Sequence, residues 1–452
     1  MTQNILKEAL GGLAADYSDI RFEETTHTDL AFMGADLEDI GTTLVRGGSV
    51  RVCVRGGWGF SAFNRIEDIE SSARTAAKMA ELAAGDETLM APVEPVVADI
   101  AWDGGSDPSD VPLADKHDLL KSYNDKLLEA EDIVTTTSRY RDVLTTSWLV
   151  TSEGTSIKKE EVFAGVSLMA VARDGSNVQR GVRSYGDQRG YETVLGHDGD
   201  IEDIIKITRD LMKAPKVDGG TYSVVINPLL AGVFAHEAFG HLSEADFVYE
   251  NPQAREMMKL GRRFGPDFLN ILDDGNIPGE AGDVPYDDEG VKGQRTHLIR
   301  DGILVGRLHS RETAGKMGED ATGNGRALNT SYRPIVRMTS TYIDEGDYSF
   351  DEMIADIDDG IYALDFLGGM TDLERFTFSS AYAFKIEKGK ITTPLRDVIL
   401  SGNVFETLKN VSMIGNDLSH YGGLGGCGKG GQSPLPTSVG APHIRIENVL
   451  VG

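Results

Sequence analysis

Two histidines with a glutamate beside the first carry the densest chemistry in this 452-residue chain: His236, Glu237 and His241, within INPLLAGVFAHEAFGHLSEAD. Imidazole is a common zinc ligand, and a carboxylate next to one can take a proton from a water that the ion has acidified. The residues upstream spell a helix. Asn227 can cap it, Pro228 suits its first position, and Leu229, Leu230, Val233 and Phe234 make it apolar enough to be buried. Two imidazoles and a carboxylate are costly in such a place without partners, and a metal ion is a partner for both rings.

Spacing sharpens the expectation. Zinc-binding histidines four residues apart share one helical face, whereas His236 and His241 are five apart and diverge by roughly 140° on a regular helix. Both reach one ion only if the helix bulges or ends early at residues 238–240, a distortion that Gly240 would ease. A catalytic zinc also needs a third protein ligand and an open position for water. Glu244 and Asp246 lie just downstream, and Cys427 lies in YGGLGGCGKGGQ. Cys427 is favoured, because repeated glycine lets the backbone approach a metal closely and thiolate is an excellent zinc ligand. Glu237 is then the catalytic base and not a ligand. Lys429, Gln432 and the N–H groups of the glycine-rich stretch are candidate donors to an oxyanion.

These residues must be held by ordered elements. Residues 4–17 read as a helix, Val50, Val52 and Val54 alternate as a strand with Cys53 on its mixed face, and residues 66–84 form an Ala-rich helix. A Pro-, Asp- and Gly-rich stretch follows up to Pro112. Leu120, Tyr123 and Leu127 then recur at helical spacing, and strand-like runs occupy 133–191 with turns at Glu153-Gly154 and Asp174-Gly175. The Pro and Gly cluster at 213–221 separates the halves, and Asp301-Gly302 and Lys388-Gly389 mark hairpins beyond it. The expected class is α+β. An N-terminal α/β domain over 1–215, with helices on a mainly antiparallel sheet and a candidate sub-boundary at 86–112, precedes a β-rich metallopeptidase domain over 216–452 that carries the metal helix.

Composition narrows the partners. With 44 Lys and Arg against 72 Asp and Glu the net charge is −28, a field that repels a phosphate backbone, so no nucleic-acid partner is expected. The N-terminus has no basic flank before an apolar run, and no stretch approaches a membrane span. Two cysteines, Cys53 and Cys427, make no disulfide framework and suit a reducing cytoplasm.

Taken together, HEAFGH, HLSEAD, MIGNDLSHYGGLGGCGKGGQ and GNGRALNTSYRPIVRMTSTYI at 323–343 closely resemble the HExxxH-bearing subunit of the TldD/PmbA (TldE) zinc metallopeptidase family over nearly the full length. That resemblance implies that His236, His241 and Cys427 bind one zinc ion, with Glu237 as base. It implies a barrel-like C-terminal domain, and a dimer with a related TldE/PmbA-type subunit lacking the motif or with a second copy. It implies peptides or unfolded protein segments as substrates, trimmed in an enclosed chamber.

Three rivals compete with this reading. GLGGCGK at 423–429 nearly fits a phosphate loop, but Gly430 stands where Ser or Thr is needed and two prolines follow. Another HExxGH peptidase acting as an exopeptidase, of the dipeptidyl peptidase III kind, takes a downstream Glu ligand, for which Glu244 is too close. A zinc-stabilised, non-catalytic interaction subunit has no use for Glu237 beside the first ligand. His297 and His309 read as core or surface imidazoles, His420 and His443 are unassigned, and Arg326 and Arg333 could hold a substrate carboxylate but read first as structural pairs or surface contacts.

Overall fold

A computed structural model describes residues 2–85 and 87–452. Asp86, where the candidate sub-boundary begins, lies outside the described residues. The first helix is Thr2–Leu10, shorter than the expected 4–17. The N–H of Gly11 closes onto Lys7 and Glu8, and by Tyr17 the chain is extended. Pairing with a neighbour on each side outweighs local helix preference there.

Strand Tyr17–Met33 is the centre of a seven-stranded sheet, antiparallel to Asp36–Val54 on one side and Ile133–Thr151 on the other. Gly57–Phe63 extends one edge. Ser156–Asp174 extends the other, flanked by Asn177–Asp187 antiparallel and Val97–Ile100 parallel. Side chains alternate as a pleated strand requires. Ile20, Phe22, Leu30 and Phe32 point to the helices, where Thr2–Leu10 and Ile69–Ala83 bury one patch and Leu113–Leu128 and Asp198–Lys213 bury the next. Cys53 lies on the mixed face expected, with Arg51, and both are buried there, Cys53 fully and Arg51 at 5% exposure, because the C-terminal half covers that face of the sheet.

That half holds a closed barrel. Gly220–Ile226 pairs with Asp359–Asp372 and Ile444–Val451, which continue through Arg375–Glu387 and Ile399–Asn403 until the ring shuts. The five-stranded ring encloses an apolar core with Val224, Ile361, Phe376, Phe378 and Ile444. A second sheet, with Ile271–Asp274 and Ser340–Ile343 near its centre, packs alongside. Both expected hairpins form. Asp301 and Gly302, and likewise Lys388 and Gly389, adopt the paired left-handed angles of a tight two-residue turn.

The polar sheet face lies over this half and is pinned to it. Arg51 reaches Asp19 at 2.6 Å and Glu289 at 2.9 Å, Arg21 lies 3.2 Å from Asp288, and Arg311 forks onto Glu153. Between them lies a cavity of about 470 Å³, lined by Thr25, His27 and Thr145 on the sheet side and Arg326, Leu424 and Pro436 opposite.

Candidate metal centre

Asn227 joins the barrel strand Gly220–Ile226 to the helix Pro228–Ala235. Its side-chain oxygen accepts from the Leu230 N–H at 3.1 Å, the capping role its type suggests, while its amide donates to Asp365 at 2.8 Å. Asp365 in turn takes Arg183 from the N-terminal sheet at 2.6 Å, so the start of this helix is tied to both halves. The helix is buried as expected. Phe234 meets Phe376 edge-on at 5.4 Å, and a side chain on Gly232 would lie 2.8 Å from the Gly440 backbone.

At His236 the helix widens. The N–H of His241 donates to the carbonyl of His236, five residues back, which makes a π-turn over His236–Gly240, followed by a 3-10 turn over His241–Ser243. One additional residue in the turn returns His241 to the side of His236, and the two rings stand 5.2 Å apart at 85°. This is the distortion the five-residue spacing requires. Gly240 is there for another reason than backbone freedom. Its φ of −56° and ψ of −54° are open to any residue, but a Cβ would sit 2.1 Å from the Met338 sulfur.

Cys427 arrives from the far end of the chain. It opens a hairpin, Cys427–Lys429 with Gln432–Leu435, turned by Gly430 and Gly431 at φ of +59° and +77°. The fully buried Arg337 donates to the Cys427 carbonyl at 2.6 Å, and a side chain on Gly426 would meet the Leu435 carbonyl at 2.4 Å. The glycine-rich stretch is therefore a pinned element. Nothing in the local sequence around Arg337 announces that role, because its partner is 90 residues away.

Ligand atoms of His236, His241 and Cys427 all lie within 4.8 Å of one another. The Cys427 sulfur is 3.5 Å from His241 Nε2. Burial works against a thiolate here, yet hydrogen bonds from His236 and His241 bring the Cys427 thiol down to about 5. Burial likewise opposes charge on His241, but Cys427 and Glu244 raise it to about 10. Two imidazoles and a readily ionised thiol are a donor set that suits zinc, and the buried His236 Nδ1 has no hydrogen-bond partner among the described residues. The residues present thus fit a zinc ion. Glu237 stands beside them, 35% exposed and 4.0 Å from His241 Nε2, so its carboxylate is open to solvent.

Other candidates fall elsewhere. Glu244 and Asp246 are outside the three-residue cluster: Glu244 accepts from the outer nitrogen of His241, and Asp246 takes Lys429. Lys429 is committed to Asp246, Glu244 and the Val336 carbonyl, while Gln432 is buried between the Leu328 N–H and the Arg333 carbonyl. Neither is a free donor to an oxyanion. His309 bonds Thr313 and Glu319, and His443 bonds Tyr362 and Asp417, as structural imidazoles do.

The family described as PmbA/TldA metallopeptidase matches the chain in three parts: domain 1 over residues 18–80, the central domain over 106–213 and the C-terminal domain over 219–452. A metalloprotease of Synechocystis sp. is 46% identical over 440 residues, covering 97% of this chain and 95% of that one. A zinc metalloprotease TldD homolog of Saccharolobus solfataricus is 29% identical over 473 residues, covering 97% of both. Among solved structures, TldE from Thermococcus kodakarensis superposes with a TM-score of 0.80 at 18% identity, covering 100% of this chain and 99% of that one.

Proposed function

Because the chain belongs to the PmbA/TldD family of metallopeptidases, we propose that it hydrolyses peptide bonds with a zinc ion held by His236, His241 and Cys427 and with Glu237 as the base. The observation that carries this reading is the convergence of three ligand atoms from two distant segments, with one unligated carboxylate beside them. The name of the Saccharolobus solfataricus relative supports zinc as the metal. Two cysteines outside any disulfide suit a reducing cytoplasm.

Bound there, zinc would polarise the scissile carbonyl and acidify the attacking water. Glu237 accepts that water's proton and returns it to the leaving amine, for which its exposed carboxylate is placed. Cys427 contributes one negative charge to the site, and the buried Arg337 holds its carbonyl so that the sulfur stays turned towards the imidazoles. Substrates are peptides or unfolded protein segments, and one that adds as a strand to a sheet edge would be selected through its main chain more than its side chains. The working form pairs the chain with a related TldE/PmbA-type subunit or with a second copy. The structural likeness to TldE is one of fold, which is what a pair of related subunits requires.

The test is zinc content and hydrolysis of an unfolded peptide mixture by wild type, Cys427→Ala, His236→Ala and Glu237→Gln. One ion per chain in wild type, loss of ion and hydrolysis together in the ligand variants, and retained ion with hydrolysis down by a factor of about 10²–10⁴ in Glu237→Gln support the reading. Hydrolysis by Glu237→Gln at the wild-type rate would leave Glu237 without a role and favour a zinc-stabilised interaction subunit.

A further inference from the structure

Glu244 is used by no step above, yet it is 1% exposed. Its Oε2 accepts from His241 Nδ1 at 2.9 Å and lies 3.2 Å from Lys429 Nζ, while its Oε1 is buried without a hydrogen-bond partner among the described residues. Lys429 also donates to both oxygens of Asp246 at 2.7 and 2.8 Å and to the Val336 carbonyl at 2.8 Å. Lys429 belongs to the hairpin that bears Cys427, whereas Glu244 and Asp246 follow the histidine helix. Among the described residues no strand pairing joins these two segments, so the chain His241, Glu244, Lys429, Asp246 is a polar tie between them.

The chemistry of the tie sets the state of His241. An ionised carboxylate only accepts, so the hydrogen must sit on Nδ1. That leaves Nε2, on the side where Cys427 lies 3.5 Å away, as the nitrogen that would give up its proton and face an ion. Lys429, placed between the Glu244 and Asp246 carboxylates, fixes Glu244, and removing it leaves buried carboxylate without its cation.

We propose that Glu244 is the positioning residue of the metal centre, holding His241 as the Nδ1–H tautomer with Nε2 turned to the ion, and that Lys429 is the strut that keeps Glu244 and the Cys427 hairpin in register. This rests on the zinc reading above. It assigns Glu244 a role other than the third ligand that its nearness to His241 suggests.

The experiment measures zinc affinity by chelator competition on the full chain for wild type, Glu244→Gln, Glu244→Ala and Lys429→Met, with cobalt(II) absorption of each. Glu244→Ala lowers zinc affinity about 10–100-fold and distorts the cobalt d–d envelope, while the sulfur-to-cobalt charge-transfer band persists. Glu244→Gln, which keeps an acceptor oxygen for Nδ1–H, recovers most of both, and Lys429→Met falls between. Nitrogen-15 shifts of His241 in zinc-loaded wild type report a protonated Nδ1 and a ligated Nε2, a readout that needs no variant to fold. Zinc on Nδ1, wild-type affinity in Glu244→Ala, or an equal loss in Gln and Ala would overturn the proposal. Wild type that binds no zinc fails the metal reading itself, a separate outcome.

Discussion

Replacing Gly240 by alanine tests the link between packing and metal geometry. The added methyl would lie 2.1 Å from the Met338 sulfur and 3.4 Å from the Thr341 methyl, against about 3.5–4.0 Å for an ordinary contact between non-bonded heavy atoms. Met338 is fully buried in the C-terminal core, so its thioether has no open space to swing into. Something must shift by well over 1 Å, and overpacking of this kind costs about 1–3 kcal/mol. The strain can be relieved by moving Met338, which lowers stability alone, or by drawing the turn away from Thr341, which also separates the His241 and His236 rings. Thermal unfolding of chelator-treated protein reads the first and zinc competition reads the second. For domains of this size each kcal/mol moves the transition by about 2–4 °C. A double-mutant cycle with Met338→Ala isolates the contact. The truncation opens a cavity costing about 2–5 kcal/mol, which the methyl added at position 240 partly fills, so the double variant is more stable than the two single losses summed. Strict additivity, or Gly240→Ala melting and binding zinc as wild type does, would refute the reasoning.

Two further outcomes follow from the interface between the halves. Burial, with Asp288 adding to it, raises Glu23 to about 7 against the opposing charge of Arg21. The folded state therefore holds a proton that the unfolded chain releases near its ordinary value of 4.5. Stability is full below that value and is lost as pH rises through 7, so Glu23→Gln equals wild type near pH 4.5 and exceeds it by up to about 3 kcal/mol at pH 8. A pH-independent difference in melting temperature between the two would exclude this account. Arg51→Met leaves Asp19 and Glu289 buried without their shared cation and costs about 3–5 kcal/mol. Adding Asp19→Asn and Glu289→Gln restores most of that loss in the same unfolding assay, whereas an unrestored loss would trace the effect to packing alone.

Much of the site was legible because its signals are local. Asn227 and Pro228 begin the helix as their types dictate, and the five-residue spacing of His236 and His241 demanded a widened turn, which the chain forms. Asp301-Gly302 and Lys388-Gly389 turn where their left-handed preference allows. The misread features are those whose causes lie far along the chain. The first helix stops at Leu10 because strand partners claim Tyr17 onward. Lys429 and Gln432 are unavailable to substrate because their partners come from residues 244–246 and 328–336.

By itself, the sequence determined which atoms could do chemistry here. Side-chain type sets what can ligate a metal or move a proton, and helical periodicity sets how far apart two such groups on one element stand. Only the tertiary structure decided which groups meet. Closing the barrel and docking the Cys427 hairpin against the π-turn bring together residues separated by 186 positions, an association set by the summed burial of a core and a few charged ties. The same folding placed Glu244 on the Nδ1 side of His241, away from Cys427 on the Nε2 side.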